Sequence, residues 1–573
     1  MGEPGDRAPP ARAWKPHSPY RRLELELLME EHIDERVPVL IVGGSLVGLS
    51  SSLFLGRLGV GHMLVERHAG TSRHPRGRGN NVRTMELFRV AGAEPLIHQA
   101  ASLLAGNHGI FQTPSLHGDA GEWLLKDIDP GGGIARFSPS GWCVCSQNDL
   151  EPVLLDCARK LGGDLRYSTE MVSFAQDADG VTAVVQERES GRRRTVRADY
   201  LIAADGPRSP IRRQLGIGQT GHGDLFHNVS ITFRSRGLAD VVGDRRFIVC
   251  YLTAEGADGA LLPVDNTENW VFHAPWQPDT GETLEDFTDE RCADHIRRAV
   301  GAPDIDVEIT GKAPWHAAER VAERYGHGRV FLAGDSAHEM SPTGAFGSNT
   351  GIQDAHNLAW KLALVLDGSA GPGLLSSYEA ERRPVAEATS ERASARSAEH
   401  SHPGYTPGPE MVGGRQRGML TVAMGYRYPR GAVVGADPDM AVVPDRMDLS
   451  GDPGTRAPHM WLHPHDGERT VSTLDLYERN FVLLTGSGGT PWHTAAATVS
   501  EKLSITLDAY RIGTEPHAEL VPESGDWAEL HGTTDEGAVV VRPDGFVAWR
   551  APGAVRDPET VLLDAMKALL HRA

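Results

Sequence analysis

The sequence predicts an α/β fold with three parts: a parallel-sheet nucleotide-binding domain, an antiparallel sheet inserted into it, and a separate C-terminal α/β domain. Three observations predict this arrangement. Residues 37–66 have the pattern of a buried strand, a glycine-rich turn, a helix and a second strand. Residues 226–310 contain several strand-like segments. A stretch rich in Pro, Gly and His, 399–416, then precedes a last α/β pattern.

Length and composition are those of a multidomain globular protein. The chain has 573 residues, of which 40% are hydrophobic and 23% charged, and this length corresponds to roughly two to four domains. Its net charge of −20 argues against broad nucleic-acid binding, which needs clustered Lys and Arg. The five cysteines form neither a disulfide framework nor a metal-binding pattern. Since no signal peptide and no membrane-spanning apolar run is found, a cytoplasmic protein is expected.

The first motif with chemical content is the turn 43–48, GGSLVG, directly after the first strand. Glycines allow a tight turn there, and the N-terminus of the following helix favours the negative charge of a pyrophosphate. Ser45 replaces the middle glycine of the usual G-x-G-x-x-G pattern. Glu66 ends the second strand, where a carboxylate accepts hydrogen bonds from ribose hydroxyls. Together these features predict a dinucleotide site; the alternative is a tight turn beside a solvated Glu.

Five arginines follow within 17 residues of an otherwise acidic chain, at positions 73, 76, 78, 83 and 89. Arg76 and Arg83 flank the irregular segment GRGNNV, just after the nucleotide-binding unit. Contacts to a phosphate or a ring are predicted there. A solvated helix face is the alternative, and it is preferred for Arg89.

Two later segments each end a buried strand with a carboxylate. LIAADG delivers Asp205, for which a simple Asp-Gly turn is the alternative, and RVFLAGD delivers Asp335 to the carboxyl edge of a parallel sheet. Gly344, Gly347 and Gly351 allow the chain to pass flat against a planar ring. The helix that follows directs its positive N-terminus back to that ring.

The distance between these motifs along the chain indicates a long cofactor. A nicotinamide-only dehydrogenase needs the first motif but not the last two. A cofactor held at its nucleotide end by 43–66 and at its far end by 334–351 needs all of them. FAD has that extent, so the parallel-sheet domain is predicted to be a Rossmann-like FAD-binding domain.

The chain resembles the FAD-dependent aromatic hydroxylases, the group A flavoprotein monooxygenases. This resemblance rests on VLIVGGSLVGLS, RTMELFRVAG, CSQNDLEPVL, AADGPRSPIRRQLG, RVFLAGDSAH, GAFGSNTGIQDAHNLAWKLA and SYEAERRPVAE. Among these enzymes it is closest to bacterial aromatic-polyketide oxygenases of the tetracenomycin type. Near the C-terminus, RAPHMWL, STLDL and RPDGFVAWR resemble the thioredoxin-like part of phenol and polyketide hydroxylases. No cysteine follows residue 292, so dithiol chemistry is not expected there.

The resemblance implies roles for individual residues. Glu66 is implied in binding the adenosine ribose, Asp335 in binding the ribityl chain, and Asp205 in binding both FAD and NADPH. The other cofactor-binding candidates are Gly43, Ser45 and Gly48 at the pyrophosphate, Arg67, Arg76 and Gln147, and, in the loop beside the flavin ring, Pro342, Gly344, Gly347 and Asn349.

The domain boundaries follow from these assignments. The predicted parts are an N-terminal extension (1–36), a discontinuous FAD-binding domain (37–215 and 311–398), a substrate-domain sheet (216–310), a linker (399–416) and a thioredoxin-like C-terminal domain lacking CxxC (417–573). The segment NWVFHAPW offers Trp270, Phe272, His273 and Trp276 as substrate-pocket walls. For His273, a packed or solvated side chain is the favoured alternative, and no catalytic base is assigned.

The predicted function is an FAD-dependent monooxygenase that uses NADPH or NADH and dioxygen to hydroxylate an electron-rich aromatic ring. The resemblance implies a polycyclic aromatic polyketide of antibiotic biosynthesis as the substrate. Three alternatives stay open: a flavin Baeyer–Villiger oxygenase acting on a polycyclic ketone, a drug-inactivating hydroxylase, and a non-catalytic flavin-binding sensor. No nucleic-acid or membrane partner is expected, and a homodimer is considered while the sequence leaves the oligomeric state open.

Overall fold

The computed structural model describes residues 32–118, 120–399, 418–465, 467 and 469–572. The predicted N-terminal extension lies largely outside the described residues, and so does the predicted linker apart from Glu399. The described strands are, in chain order, β1 (Glu35–Val42), β2 (His62–Val65), β3 (Gly79–Asn80), β4 (Gly109–Thr113), β5 (Glu122–Leu125), β6 (Cys143–Val144), β7 (Asp164–Arg166), β8 (Thr169–Gln176), β9 (Val181–Glu187), β10 (Arg193–Ala203), β11 (Gln219–Arg234), β12 (Phe247–Leu252), β13 (Gly259–Pro263), β14 (Asn269–Trp276), β15 (Glu308–Ala322), β16 (Gly326–His327), β17 (Val330–Leu332), β18 (His338–Glu339), β19 (Trp461–Pro464), β20 (Val471–Ser472), β21 (Phe481–Gly486), β22 (Leu507–Ile512), β23 (Leu520–Pro522), β24 (Ala538–Val541) and β25 (Val547–Ala551).

The α-helices within the same ranges connect and cover these strands. They are α1 (Leu46–Arg57), α2 (Val82–Val90), α3 (Glu94–Ala100), α4 (Gln147–Lys160), α5 (Pro210–Gln214), α6 (Gly237–Val242), α7 (Asp289–Val300), α8 (Phe346–Leu366), α9 (Ser376–Glu399), α10 (Met419–Met424), α11 (Thr490–Leu503), α12 (Trp527–Leu530) and α13 (Pro558–Leu569). Within this part of the chain, no helix is long and apolar enough to cross a bilayer.

The first sheet is the parallel sheet of the nucleotide-binding domain, with strand order β16-β17-β10-β1-β2-β7. β17, β10, β1, β2 and β7 run parallel, while β8 and β9 continue from β10 as antiparallel strands. Its central strands are nearly continuous apolar runs because both faces are covered. α1 and α8 pack side by side and share one hydrophobic core with the sheet.

The second sheet has the order β18-β15-β11-β14-β13-β12-β4-β5. It is larger than the predicted insertion of 216–310: β15 continues to Ala322, and β4 and β5, from much earlier in the chain, complete one edge. β4 joins through parallel pairing with β12, where Phe111 lies opposite Cys250. One face of this sheet packs on α7 through side chains such as Ile231, Phe233 and Ile296.

The C-terminal domain has a thioredoxin-like core. β21, α11 and β22 form a parallel β-α-β unit, and β24 and β25 form an antiparallel hairpin followed by α13. Their spatial order is β22-β21-β24-β25. Tyr426 and Tyr428, which precede this core in the chain, pack with Phe346 and Val385 of α8 and α9.

Candidate active site

Four strand ends meet at one edge of the first sheet. Gly43 follows β1, Glu66 follows β2, Asp205 lies two residues after β10, and Asp335 lies three residues after β17. These strands are parallel neighbours in the order β17-β10-β1-β2, so their carboxyl ends lie side by side. The residues that sequence reasoning selected at strand ends are therefore brought together at the edge where α/β sheets bind ligands.

The turn between β1 and α1 requires glycine at two positions. Gly43 has φ +109°, and a Cβ there would lie 2.1 Å from the carbonyl oxygen of Ala204. A Cβ at Gly48 would lie 1.8 Å from the carbonyl oxygen of Gly43. The turn is thus packed directly against the end of β10, which fixes the direction of the α1 N-terminus. Such a turn presents backbone N–H groups and a positive helix end to an anionic ligand.

A buried carboxylate that sequence reasoning missed supports this turn. Ser45, which precedes α1, donates from Oγ to Glu151 Oε1 at 2.5 Å. Gln147 Nε2 donates to the same two side chains, at 3.0 and 2.7 Å, and the Ser72 N–H donates to Glu151 Oε2 at 2.7 Å. The Ser45 side chain therefore points to α4 and leaves the helix N-terminus uncapped. The i, i+4 spacing of Gln147 and Glu151 on α4 was the sequence signal for this cluster.

Glu66 is held by the turn that it faces. Its Oε2 accepts a hydrogen bond from the Gly44 N–H at 2.7 Å, and its Oε1 accepts from the His68 N–H at 2.8 Å. Arg67, the next residue, is exposed. Glu66 therefore occupies the position at the end of β2 that the sequence predicted, with its carboxylate oriented by main-chain donors.

Asp205 and Asp335, at the other two strand ends, have carboxylate oxygens that can accept further hydrogen bonds. Asp205 Oδ1 is buried and has no hydrogen-bond partner among the described residues, while Oδ2 accepts from the Ile211 N–H at 3.3 Å. Asp335 is exposed to solvent, although many protein atoms surround its carboxyl group. Desolvation by the surrounding protein raises the pKa of the Asp335 carboxyl, and the nearby His338 and Arg76 oppose that shift. Both carboxylates suit a ligand that carries several hydroxyl groups.

The N-termini of α1 and α8 converge on the cleft at this edge of the sheet. A Cβ at Gly334 would lie 2.6 Å from Val47 Cγ2, and a Cβ at Gly351 would lie 2.7 Å from the same atom. The start of α1 is therefore in van der Waals contact with both the Asp335 turn and the first turns of α8. Two positive helix ends face one site, as the sequence predicted for α8.

Asn349, in the first turn of α8, holds the loop that precedes this helix. Its Nδ2 donates to the carbonyl oxygens of Gly79 and Ala345, at 2.7 and 2.6 Å, and its Oδ1 accepts from the Asn81 N–H at 2.9 Å. Because main-chain groups occupy this amide, Asn349 positions the loop. Gly347, by contrast, is open: a Cβ there would meet nothing nearer than Met340, at 3.8 Å.

Other predicted members of this loop and its surroundings are accessible. Pro342 and Arg76 are exposed, and Gly344 has φ +94°, which favours glycine. Arg76 acts electrostatically on both Asp335 and His74. Its position beside the cleft therefore fits the predicted contact with an anionic or planar ligand.

A buried triad stabilises the Asp335 turn from beneath. Asp354 Oδ2 accepts from His338 Nε2 at 2.7 Å and from the Gly334 N–H at 3.3 Å. Arg382 donates to Asp354 Oδ1 at 2.7 Å and to the Thr350 carbonyl oxygen at 3.2 Å. The side chains of His338, Asp354 and Arg382 are fully buried. Sequence reasoning did not select them, since only the fold brings α9 to this turn.

The second sheet presents one face to the cleft, here called the inner face. His74, from the segment between β2 and β3, bonds through Nε2 to Ser230 Oγ at 2.8 Å, which identifies the face. By strand alternation Asn228 shares it, and Asn228 lies opposite Trp315 in the β11–β15 register. The Trp315 ring contacts His273, at 5.0 Å between ring centroids, as well as Phe226.

The predicted pocket wall on β14 must be corrected. Trp270 and Phe272 are buried in the core against α7, and Trp276 packs on the same side. The Trp270 Nε1 donates to the Ser235 carbonyl oxygen, and that of Trp276 to the Glu282 carbonyl oxygen. Successive strand residues alternate between faces, so of the four candidates only His273 lies on the inner face. The sequence alone does not reveal which face α7 covers.

Comparison with known proteins agrees with this geometry. Residues 36–393 match the family model described as FAD binding domain, and residues 450–573 match the model described as aromatic-ring hydroxylase, C-terminal. The first of these matches covers more than half of the chain. The chain belongs to the FAD-dependent aromatic-ring hydroxylases. The family resemblance predicted from the motifs is thereby confirmed, and this aromatic-ring hydroxylase is an FAD-dependent monooxygenase.

Relatives of this hydroxylase cover nearly its whole length. A Streptomyces halstedii protein named "Putative polyketide hydroxylase" is 71% identical over 92% of this chain and 95% of its own length. Aklavinone 12-hydroxylase RdmE of Streptomyces purpurascens is 38% identical over 94% of this chain and 100% of its own length. The crystal structure of aklavinone-11 hydroxylase in a ternary complex with FAD and aklavinone matches with a TM-score of 0.86. It is 37% identical and covers 94% of this chain and 100% of that one, so the predicted fold class is confirmed.

The residues present fit FAD. The glycine turn between β1 and α1 leaves no room for a side chain at Gly43 or Gly48, and Asp205 carries a buried carboxylate oxygen that lacks a partner in the described part of the chain. Along one cleft, a helix end is available to a nucleotide and free carboxylate oxygens are available to a polyol chain. The open surface at Gly347 is available to a planar ring.

Proposed function

We propose that this hydroxylase uses NAD(P)H and dioxygen to hydroxylate an electron-rich ring of a polycyclic aromatic polyketide. The observation that carries the proposal is the convergence of the two helix N-termini and Asp335 on a cleft that the inner face of the second sheet closes. The nearly full-length similarity to enzymes named for aklavinone and tetracenomycin substrates supports the substrate class.

The contacts described above support the following cofactor-binding roles. The turn 43–48 and the α1 N-terminus would hold the pyrophosphate, and Glu66 would accept hydrogen bonds from the adenosine ribose. Asp205 and Asp335 would accept hydrogen bonds from the ribityl chain and the hydroxyls near it. When bound, FAD supplies the relay of electrons from NAD(P)H to dioxygen and the transfer of one oxygen atom to the ring.

The protein contributes orientation, charge and exclusion of water. The α8 N-terminus would stabilise negative charge on a planar ring bound beside it. The Trp315 and Phe226 rings give the inner face an apolar part that orients an aromatic substrate and keeps water out. His273 lies on this wall beside Trp315 and contributes to substrate positioning.

Reconstitution and turnover test this proposal together. Protein incubated with FAD and then desalted is expected to retain a two-peaked flavin absorbance. NADPH oxidation is expected to accelerate when a polycyclic phenol is added, and hydroxylated product is expected to accumulate. Loss of all flavin on desalting, or NADPH oxidation that no aromatic compound stimulates, would contradict the proposal.

A further inference from the structure

The motif RPDGFVAWR of the C-terminal domain begins with a turn that packs against the FAD-binding domain. Residues 542–546 connect β24 to β25, and all five of them are buried. The Phe546 side chain packs with Phe346 of α8 and Val385 of α9. This segment, here called the hairpin turn, is therefore inserted between elements of the neighbouring domain.

Asp544 in the hairpin turn binds two helices of the FAD-binding domain. Its Oδ2 accepts a hydrogen bond from Asn357 Nδ2 of α8 at 3.2 Å. Its carbonyl oxygen accepts a hydrogen bond from Arg83 Nη2 of α2. The sequence placed Arg83 beside a phosphate or a ring, but its side chain is buried here, and its Nη1 donates to Glu86 at 3.0 Å. The hairpin turn thus joins α2 to α8.

The same two helices hold the loop that precedes α8. Asn81 is the N-cap of α2, and its side chain accepts from the Thr84 N–H at 2.9 Å. The Asn81 N–H donates to Asn349 Oδ1, and Asn349 Nδ2 donates to the Ala345 carbonyl oxygen in the loop. Gln353 Nε2 also donates to Asn81 Oδ1, at 3.4 Å. A shift of either helix would therefore move Ala345 and its neighbours.

The path from the hairpin turn to this loop is short and buried. Asn357 and Asn349 lie on the same helix, separated by about 12 Å along its axis. Arg83 and Asn81 are separated by about 3 Å along the axis of α2. All four residues are buried, and close-packed interiors transmit strain because their compressibility is low.

The charge of Asp544 is set by its neighbour in the hairpin turn. Arg542 donates from Nε to Asp544 Oδ1 at 2.9 Å. Burial alone would raise the pKa of the Asp544 carboxyl, but Arg542 brings this pKa well below its ordinary value. Asp544 is therefore ionised at neutral pH and stays an acceptor for Asn357.

We propose that Asp544 is a positioning residue for hydroxylation: the hairpin turn holds α2 and α8, and these helices set the position of the loop beside the flavin ring. The inference rests on the proposed function and gives the C-terminal domain a part in the reaction. An enzyme with a misplaced ring would oxidise NAD(P)H and reduce dioxygen to hydrogen peroxide without oxygenating the substrate. A misplacement of about 1 Å can cost about a hundredfold in rate.

Two variants cut the two links separately. Asp544→Ala removes the acceptor for Asn357, and Arg83→Met removes the donor to the Asp544 carbonyl oxygen. Arg83→Lys keeps one donor and should behave between Arg83→Met and the wild-type protein. Leu484→Ala is the control, because Leu484 is fully buried in the core of the C-terminal domain. Its truncation destabilises that domain without removing either link.

Amide hydrogen exchange of the FAD-free proteins tests the loop without any turnover. Peptides that cover residues 341–349 should exchange faster in Asp544→Ala and in Arg83→Met, by about two- to tenfold, which is the effect of losing one buried hydrogen bond. The same peptides should exchange at the wild-type rate in Leu484→Ala. Unchanged exchange in both link variants would overturn the inference.

Coupling is measured in the FAD-loaded proteins as hydroxylated product formed per NADPH consumed. Asp544→Ala and Arg83→Met should form less product and more hydrogen peroxide at an unchanged KM for the aromatic substrate, while Leu484→Ala should keep the wild-type ratio. Wild-type coupling in both link variants, or an equal loss in Leu484→Ala, would overturn the positioning role. A wild-type enzyme that forms no product would contradict the proposed function alone, and the exchange rates would then decide the inference.

Discussion

Arg542 and Glu381 form a buried ion pair across the boundary between the C-terminal and FAD-binding domains. Arg542 donates from Nη1 and Nη2 to the two carboxylate oxygens, at 2.7 and 2.8 Å, and neither side chain is exposed. Lys361 donates to Glu381 at 2.7 Å, and Asp544 accepts from Arg542 Nε at 2.9 Å. The thioredoxin-like domain, which has no cysteine, therefore supplies charges that complete the interior of its neighbour.

Arg542→Met should destabilise the protein strongly. Removing one partner leaves Glu381 buried with less compensation, which costs about 3–5 kcal/mol. The matched control is Arg57→Met, which breaks another ion pair between these domains, with Glu478, whose side chains are 32% and 21% exposed; such a pair contributes about 0.2–1 kcal/mol. Denaturant midpoints of both variants check the prediction, and equal shifts would show that the buried network is not essential.

Gly347→Ala should weaken FAD binding without weakening the fold. The new Cβ would lie 3.8 Å from Met340, which is an ordinary contact. Alanine also favours a helix over glycine by about 0.5–1 kcal/mol, so the apoprotein should not lose stability. The added methyl should obstruct a planar ring lying on this turn.

Flavin fluorescence titration measures this effect, and Gly106→Ala, at a glycine whose Cβ would meet nothing within 4 Å, is the control. FAD affinity equal to that of the wild-type protein would mean that the ring does not contact Gly347.

Local sequence patterns predicted which residues lie at the strand ends of one sheet edge. The motifs around Gly43, Glu66, Asp205 and Asp335 are each a buried strand followed by a turn, and parallel strands place their carboxyl ends together. Both the strand and the chemical group are therefore encoded within a few residues. The structure places all four at one sheet edge.

The substrate half could not be predicted in the same way. The face on which Trp270 lies depends on α7, and the edge strands β4 and β5 join through pairing with a segment far away in the chain. His338 and Arg382 each act through partners from other elements. Their positions are fixed by tertiary packing, which leaves no local sequence pattern.

Asn228→Leu should stabilise the ligand-free protein and weaken substrate binding. Asn228 is fully buried, and its Oδ1 and Nδ2 atoms make no hydrogen bond to the described residues. A buried amide without partners costs about 1–3 kcal/mol, which an apolar side chain of similar shape avoids. Its position opposite Trp315 on the inner face indicates that a substrate group supplies the hydrogen bonds that the Asn228 amide lacks.

Thermal unfolding with and without a polycyclic phenol checks both halves of this prediction. A lower unfolding temperature without ligand, or unchanged ligand affinity, would contradict it. FAD affinity should be that of the wild-type protein.

Stability should decrease as the pH falls below about 6.5, the ordinary pKa of histidine. Burial lowers the pKa of His531 and of His459 to about 4 and that of His356 to about 3. Between the lowered and the ordinary value the unfolded chain binds more protons than the folded chain, so stability is fully present above this range and is lost as the pH falls through it. The unfolding temperature measured from pH 7 to pH 4 should therefore decline.

Replacing one of these histidines tests whether the buried histidines cause the decline of the unfolding temperature with pH. His531→Asn cannot take up a proton and should flatten the decline relative to the wild-type protein. An unfolding temperature that is constant or rises towards pH 4 would contradict the assignment of neutral buried histidines.

The most direct test of the proposed function is the fate of dioxygen. The FAD-loaded enzyme is incubated with NADPH, a polycyclic phenol and dioxygen labelled with heavy oxygen, and the product is analysed by mass spectrometry. The product is expected to gain one labelled oxygen atom as a ring hydroxyl, with the other atom released as water. A product without label, or NADPH consumption that yields only hydrogen peroxide with every aromatic compound tried, would contradict it.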